Sequence, residues 1–314
     1  MPQPAHRFPN GAREVTRLTT QRHLIVTVLA LLLINATASA AEPRVHRDLP
    51  YAEPKNERQT LFVGERSQPE TQGAITPGNA ASATPQRKLR VVFFSAHPDD
   101  PLWGSGGLMI LLSRGGHEVI AAYATCFRGD RKIDGEPENT VRRREAVGSS
   151  RVVGATVKFF DYAHESFVAD ADTLRAVSSW LEEVKPDLVV THWPIDTHPN
   201  HHVAASLVWQ CYKLSGGWNL YWYEVGEQTK AFRPDLYLDV ESLLARKKEA
   251  LECHRGSLQV ISHPDPDRPW RLVEELQRRR GAECGIAHAE AFALVEAKAG
   301  CPLLPVPFLT KKIQ

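Results

Sequence analysis

The pattern of hydrophobic and polar positions changes near Leu89. From there, short runs that are apolar throughout alternate with longer stretches whose apolar residues recur at helical spacing. The apolar runs, predicted to be strands, are 89–95, 118–125, 156–162 and 187–193, and the predicted helices between and after them are 105–116, 137–154, 172–186 and 200–217. Apolar strands separated by helices are typical of a parallel sheet with both faces covered. The pattern therefore predicts an α/β fold with a doubly wound, mostly parallel sheet and helices on both faces.

The later part of the chain predicts two more strands, over 219–225 and 235–240. A long helix from Glu241 to about His254 and a last helix near residues 269–298 are expected to follow. We interpret residues 89–300 as one folded domain and residues 301–314 as a C-terminal tail.

The N-terminal 40 residues have the pattern of an export signal. Arg13, Arg17 and Arg22 precede an apolar run over 24–34, and small residues before Ala41 offer a cleavage site after Ala40. That run has 11 residues, which is too short for a helix to span a bilayer, so a membrane anchor is the less favoured interpretation. Residues 41–88 are rich in Pro, Gln, Glu, Thr and Ser, which predicts a flexible linker. We expect a mature protein without a membrane span, exported to the periplasm or the extracellular space.

Charge and cysteine content exclude several classes of protein. Lys and Arg (38) nearly balance Asp and Glu (37), so no basic surface for nucleic acid is indicated. The five cysteines form no C-x-x-C pair, which disfavours a structural zinc knuckle, and the sequence does not pair them. No G-x-G-x-x-G follows the first strand, so a dinucleotide-binding enzyme is also disfavoured.

Ionisable side chains gather in two loops, "AHPDDPLWGSGG" (96–107) after the first strand and "HWPIDTHPNHHVAA" (192–205) after the fourth. In a doubly wound sheet of order 3-2-1-4 these strands are neighbours, and the crevice at their carboxyl ends binds ligands. His97, Asp100 and one histidine of 198–202 would give a set of two histidines and one carboxylate. Catalytic zinc sites use three such ligands and leave one position for water.

We make separate predictions for two residues of these loops, Asp99 and His201. Asp99 diverges in direction from Asp100, so we expect it to be the base that takes a proton from water. His201 is expected at the start of a helix that Asn200 caps, where the helix dipole favours the neutral ring.

These motifs resemble the PIG-L/LmbE zinc-dependent de-N-acetylases. The resemblance extends over about residues 89–297 and includes Arg142-x-x-Glu145, "RKKEALECHRGSLQ" (246–259) and "RRRGAECGIAHAEAF" (278–292). It implies a Rossmann-like fold and removal of the acetyl group from an N-acetylated amino sugar of the N-acetylglucosamine type, in a small molecule or glycoconjugate.

The resemblance also implies roles for individual residues. His97, Asp100 and His201 would bind one zinc ion per chain, and Asp99 would be the general base. His198 would stabilise or protonate at the departing amine. Arg142 is expected to face the site, and Arg128, which follows the second strand, borders the same crevice as a candidate substrate contact.

One position departs from the family pattern, because Pro101 stands where a glutamate is usual. This makes a non-catalytic carbohydrate-binding relative a plausible alternative. A metal-dependent amidase that acts on another small amide is a further alternative. His192 could be a core histidine, His202 is expected to face solvent, and four further histidines are expected to have no role in the site. These are His117, His164, His254 and His288.

Export with removal of the leader predicts that the mature protein begins near Ala41. N-terminal sequencing of the protein recovered from the cell envelope or the medium measures this directly. An intact leader on protein recovered from the cytosol would contradict the prediction.

Overall fold

The computed structural model describes residues 87–126, 128–262 and 265–310. The predicted leader and nearly all of the predicted linker lie outside these residues. The strands are Arg90–Ser95 (β1), Glu118–Thr125 (β2), Lys132–Ile133 (β3), Glu136–Pro137 (β4), Thr156–Tyr162 (β5), Leu188–His192 (β6), Asn219–Tyr223 (β7), Leu236–Asp239 (β8), Ala289–Glu296 (β9) and Phe308–Leu309 (β10). The helices are Asp100–Gly104 (α1), Gly106–Arg114 (α2), Glu138–Val153 (α3), Ala171–Val184 (α4), Pro199–Ser215 (α5), Leu244–Glu252 (α6), Arg255–Ser262 (α7) and Arg268–Cys284 (α8).

An eight-stranded sheet has the order β10-β8-β9-β7-β6-β1-β2-β5. The strands β5, β2, β1, β6 and β7 pair in parallel, and β9, β8 and β10 extend the sheet by antiparallel pairing. The predicted order 3-2-1-4 of the first four strands corresponds to β5-β2-β1-β6 and is confirmed. The small strands β3 and β4 form a separate hairpin.

The sheet is covered on both faces, as predicted. Within β1, Val91 and Phe93 belong to one hydrophobic core, whereas Val92 and Phe94 belong to the other. Helices α2, α3 and α6 contribute to the first core, and α4 and α5 contribute to the second. Since successive side chains of a strand point to opposite faces, an apolar strand such as β1 needs both layers of helices.

The C-terminal part differs from the prediction. The helix expected near 269–298 ends at Cys284, where Gly285 adopts a left-handed conformation with φ of 84°. The next residues form β9, which pairs between β7 and β8. The helix expected from Glu241 to about His254 is divided into a 3₁₀ turn, Glu241–Leu243, and α6. The residues predicted as a tail include β10, which pairs with β8.

No helix in the described ranges is long and apolar enough to cross a membrane. All five cysteines lie in these ranges as free thiols.

A buried ion pair connects β9 to the helices beside the first loop. Lys247 Nζ donates to Glu290 Oε1 over 2.6 Å and to the carbonyl oxygen of Trp103 over 3.1 Å. Glu290 also accepts from the backbone N–H groups of Gly107 (2.7 Å) and Leu108 (2.9 Å), at the start of α2. Both charged side chains are fully buried. Because Trp103 lies in α1 with Asp100, this pair fixes the backbone that carries the first loop's ionisable groups.

Replacing Lys247 with Met should lower the free energy of unfolding by about 3–5 kcal/mol, because it leaves the buried carboxylate of Glu290 without a counter-charge. Urea unfolding measures the change. The matched control is Arg175→Met, which removes an exposed pair with Asp172 and should have little effect. Equal stability of the two variants would contradict this account of the pair.

Candidate metal and catalytic site

The candidate site lies at the carboxyl ends of the neighbouring strands β1 and β6, as the strand order predicts. The loop and helix α1 after β1 and the loop before α5 form one side of a cavity of about 310 Å³. The 3₁₀ turn Gly226–Gln228 and one face of α8 also line it, together with Arg128, Arg142, Val225 and Leu258. The cavity therefore brings the two predicted loops together.

His97, Asp100 and His201 bring their donor atoms together, as predicted. Nδ1 of His97 lies 3.2 Å from Oδ2 of Asp100, and Nε2 of His201 lies 3.4 Å from Oδ1 of Asp100. All three side chains are buried, and one donor atom from each lies within 4.8 Å of the others. Ligand atoms about 2.0–2.1 Å from a tetrahedral zinc ion lie about 3.3–3.4 Å from one another. The spacing and the chemistry of these donors fit a divalent ion.

The electrostatic environment of these three side chains favours the binding of a cation. Burial alone would raise the pKa of Asp100, but His201 and His97 outweigh it and hold that pKa well below its ordinary value. Burial alone would lower the pKa of His201, but Asp100 and Asp196 raise it to about 10. Burial lowers the pKa of His97, which favours the neutral ring that a metal ligand requires.

Asp196 supports His201 from behind and was missed by the sequence analysis. Its Oδ1 lies 3.2 Å from Nδ1 of His201 and accepts from the backbone N–H of His198 over 2.8 Å. Thr229 donates to its Oδ2 over 2.8 Å. A carboxylate on the second nitrogen of a ligand histidine fixes the orientation of the ring. The signal was present in "PIDTHPNHH", where Asp196 precedes His198 by two residues and can accept from its backbone.

The cap of α5 differs from the prediction, because His198 and not Asn200 is the N-cap residue. Nδ1 of His198 accepts from the backbone N–H of Asn200 over 3.3 Å. The neutral ring therefore carries its proton on Nε2. Burial, with His97 and His201 nearby, lowers the pKa of His198 to about 3. His198 lines the cavity as a neutral donor.

Asp99 lines the same cavity and is paired with Arg142. One nitrogen of the Arg142 guanidinium donates to Oδ1 of Asp99 over 3.0 Å, and another lies 3.5 Å from Glu138. Arg142 is 2% exposed, and its contact with Asp99 is the shorter of the two. Oδ2 of Asp99 accepts no hydrogen bond from the described part of the chain. Arg128, the other predicted arginine, also lines the cavity.

His164 contradicts the expectation that it lies outside the site. Its ring stacks on His97 at 5.1 Å between centroids and meets the edge of His198 at 5.3 Å. His192 lies beneath the site: its Nε2 accepts from the backbone N–H of Ala96 over 3.0 Å and lies 3.3 Å from Asp100. His202 is exposed, as expected.

Pro101 is compatible with this arrangement. It occupies the first turn of α1, directly after Asp100. The first N–H groups of a helix have no partner within the helix, so a proline is tolerated there. The carbonyl oxygen of Pro101 accepts from the backbone N–H and the hydroxyl of Ser105, over 2.8 and 2.9 Å.

Comparison with known proteins agrees with these motifs. Residues 92–212 match the model of the PIG-L family, described as GlcNAc-PI de-N-acetylase. The match includes both predicted loops, so this part of the chain is a PIG-L domain, which agrees with the PIG-L/LmbE resemblance of the motifs. PIG-L members are metal-dependent hydrolases, so the protein is an enzyme.

Three relatives illustrate the range of this family's neighbours. The chain is 29% identical over 225 residues to 4-oxalmesaconate hydratase of Pseudomonas putida, a match that covers 64% of this chain and 82% of the relative. The fold resembles N,N'-diacetylchitobiose deacetylase from Pyrococcus horikoshii, with a TM-score of 0.57, 22% identity and coverage of 65% and 83%. It also resembles 4-carboxy-2-hydroxymuconate hydratase from Pseudomonas putida, with a TM-score of 0.55, 24% identity and coverage of 68% and 100%.

Metal analysis tests the ligand set of this PIG-L enzyme. We expect His97→Ala, Asp100→Ala and His201→Ala each to lose the bound ion, and Asp196→Asn to weaken its affinity about 10- to 100-fold. Asp99→Asn and the exposed control His202→Ala should retain it. Elemental analysis after equilibrium dialysis gives the metal content, and circular dichroism checks the fold. Full metal content in His201→Ala would show that another histidine is the ligand.

Proposed function

We propose that this enzyme is a zinc-dependent hydrolase that removes the acetyl group from an N-acetylated amino sugar of the N-acetylglucosamine type. The observation that carries the proposal is that Asp99 and His198 border the same cavity as the three donors His97, Asp100 and His201. A base, a neutral donor and a metal-binding set in one cavity are the groups that amide hydrolysis requires.

His97, Asp100 and His201 would hold one zinc ion. Two histidines and one carboxylate are a donor set of catalytic zinc sites. When bound, the ion supplies Lewis acidity toward the acetamide carbonyl and eases the ionisation of water. Asp196 orients His201 for this role through the contact to its second nitrogen.

Asp99 acts as the general base. Arg142 holds its Oδ1 and places a permanent positive charge beside it, so the carboxylate is oriented and its Oδ2 can accept a proton. Water loses that proton as its oxygen forms a bond to the acetyl carbon. The C–N bond then breaks, and the proton is returned from Asp99 to the departing amine. The products are acetate and the free amino sugar. Arg142 is a positioning residue in this scheme.

His198 stabilises the negative charge that develops during the attack. Its Nδ1 is occupied by the backbone of Asn200, so Nε2–H is the group that can donate into the cavity. A donor fixed in this way before the reaction stabilises the transition state more than the ground state.

A hydratase that adds water to a carbon–carbon double bond is the second candidate. The 29% sequence identity to 4-oxalmesaconate hydratase, over 82% of that relative, favours this candidate. The same base could remove a proton from water in either reaction. Acetate release separates the two reactions, because a hydratase forms no acetate.

We also propose that the enzyme acts outside the cytosol. The basic, apolar and small-residue order of residues 1–40 supports this, although these residues lie outside the described ranges.

The test is acetate release from N-acetylglucosamine conjugates by the zinc-loaded enzyme. Asp99→Asn should keep its zinc and lower kcat about 10²- to 10⁴-fold, because it removes the general base from an otherwise isosteric side chain. Absence of acetate from every conjugate, together with hydration of an unsaturated acid, would favour the second candidate. Unchanged turnover in zinc-loaded Asp99→Asn would contradict the role of Asp99.

His198→Ala should retain zinc and lower kcat more than it raises KM, which is the pattern of an interaction made in the transition state. His202→Ala is the matched control, since it removes an exposed imidazole four residues away. A variant that changes KM alone would assign His198 to substrate binding instead.

A further inference from the structure

A second group of metal-binding side chains adjoins the predicted ligand set. Donor atoms of His97, His164 and His198, one from each ring, all lie within 4.8 Å of one another. The ring centroid of His97 is 4.7 Å from that of His198 and 5.1 Å from that of His164. In the described part of the chain, the only other group of three such donors is His97, Asp100 and His201.

His164 has a ring nitrogen available for a ligand. Its Nε2 is buried and has no hydrogen-bond partner among the described residues. A buried polar atom without a partner is costly, and a bound metal ion would satisfy it. The backbone carbonyl oxygen of His164 accepts from the side-chain amide of Asn200 over 3.0 Å, which ties this loop to α5. The ring is therefore held beside the other two imidazoles with one nitrogen able to bind an ion.

The two groups differ in depth. We call His97, Asp100 and His201 the inner set, and His97, His164 and His198 the outer set. All members of the inner set are buried, whereas His164 and His198 are half-buried. A buried metal site requires an entry path for the ion. The outer set contains the more exposed ligands and lies next to the inner set, as an entry point requires.

The two groups also differ in charge. Asp100 supplies a negative charge to the inner set, and Asp196 adds another behind His201. The outer set consists of three imidazoles without a carboxylate. Imidazole binds zinc and similar divalent ions, but the carboxylates make the inner set the tighter of the two sites. An ion bound to the outer set would therefore move inward.

The two sets share His97. A neutral imidazole offers one lone pair, because its other nitrogen carries the proton, so the ring binds one ion at a time. An ion held by the outer set already has one ligand of the inner set and needs to exchange only the other two. The shared ring thus couples the two sites and favours transfer between them over occupation of both.

We propose that His97, His164 and His198 form a second, weaker binding site for a divalent ion, through which the ion passes to and from the inner set. The inference goes beyond the proposed reaction, because it concerns metal loading and requires no substrate. His164 distinguishes the outer set, since neither the inner set nor the proposed chemistry uses it.

Zinc titration of variants that lack the inner set tests the site itself. In His201→Ala the outer set stays intact, so calorimetry should detect one zinc ion that binds more weakly than in the wild type and is removed by dialysis. His201→Ala/His164→Ala should lower this residual affinity by at least about 10- to 100-fold, the effect of disturbing even a partner of a ligand. The matched control, His201→Ala/His202→Ala, also removes two imidazoles but should keep the weak site, because His202 is exposed and outside both sets.

Zinc uptake by the metal-free enzyme tests the path. His164→Phe keeps a ring against His97 but removes both nitrogens. It should slow zinc uptake and zinc release by the same factor, on the order of tenfold, and leave the equilibrium affinity of the inner set unchanged. Stopped-flow mixing with a zinc-sensitive dye measures uptake, and transfer of the ion to excess chelator measures release.

Absence of a weak zinc site in folded His201→Ala, or equal zinc affinity with and without His164 in that background, would overturn the inference. Wild-type rates of uptake and release in His164→Phe would also overturn it. His164→Phe retains the inner set, so it decides the matter even if circular dichroism shows that His201→Ala does not fold. None of these measurements involves acetate release, so failure of the proposed reaction would leave them unaffected.

Discussion

The site depends on the buried negative charge of Asp100. This carboxylate is 3% exposed and lies within 3.4 Å of nitrogens of His97, His192 and His201. An isolated carboxylate is too costly to bury, so it needs positive partners or a metal ion. Its neighbours come from β6, from α5 and from its own loop, and they meet only because β1 and β6 are adjacent. The strand order of the sheet is therefore a condition for the chemistry.

Asp99 and Asp100 show how environment separates two adjacent carboxylates. Asp100 faces imidazole nitrogens that can share a cation with it, whereas Asp99 faces the guanidinium of Arg142. The peptide geometry sends the two side chains in different directions, and α3 supplies the partner of one of them. One residue is thereby suited to hold an ion and the other to move a proton.

The order of the first four strands and the meeting of the two loops could be predicted because both follow from local rules. Fully apolar strands such as β1 and β6 must be buried on both faces, and their loops then meet at one edge of the sheet. The strand β9 could not be predicted, because its Ala- and Glu-rich sequence also suits a helix and only pairing with β7 and β8 decides its conformation. His164 was missed for a similar reason: it follows β5, at the far end of the sheet order, and only the path of that loop brings it to His97.

The division of the cavity explains how one fold can serve different reactions. In the proposed reaction the end formed by His97, Asp99, Asp100 and His201 activates water, and this step is common to hydrolysis of an amide and hydration of a double bond. The other wall comes from α8, which Arg280 joins to the buried Glu224 and which carries none of the three candidate ligands. Substitutions on the cavity-facing side of α8 would therefore change the groups that a substrate contacts without removing a candidate ligand.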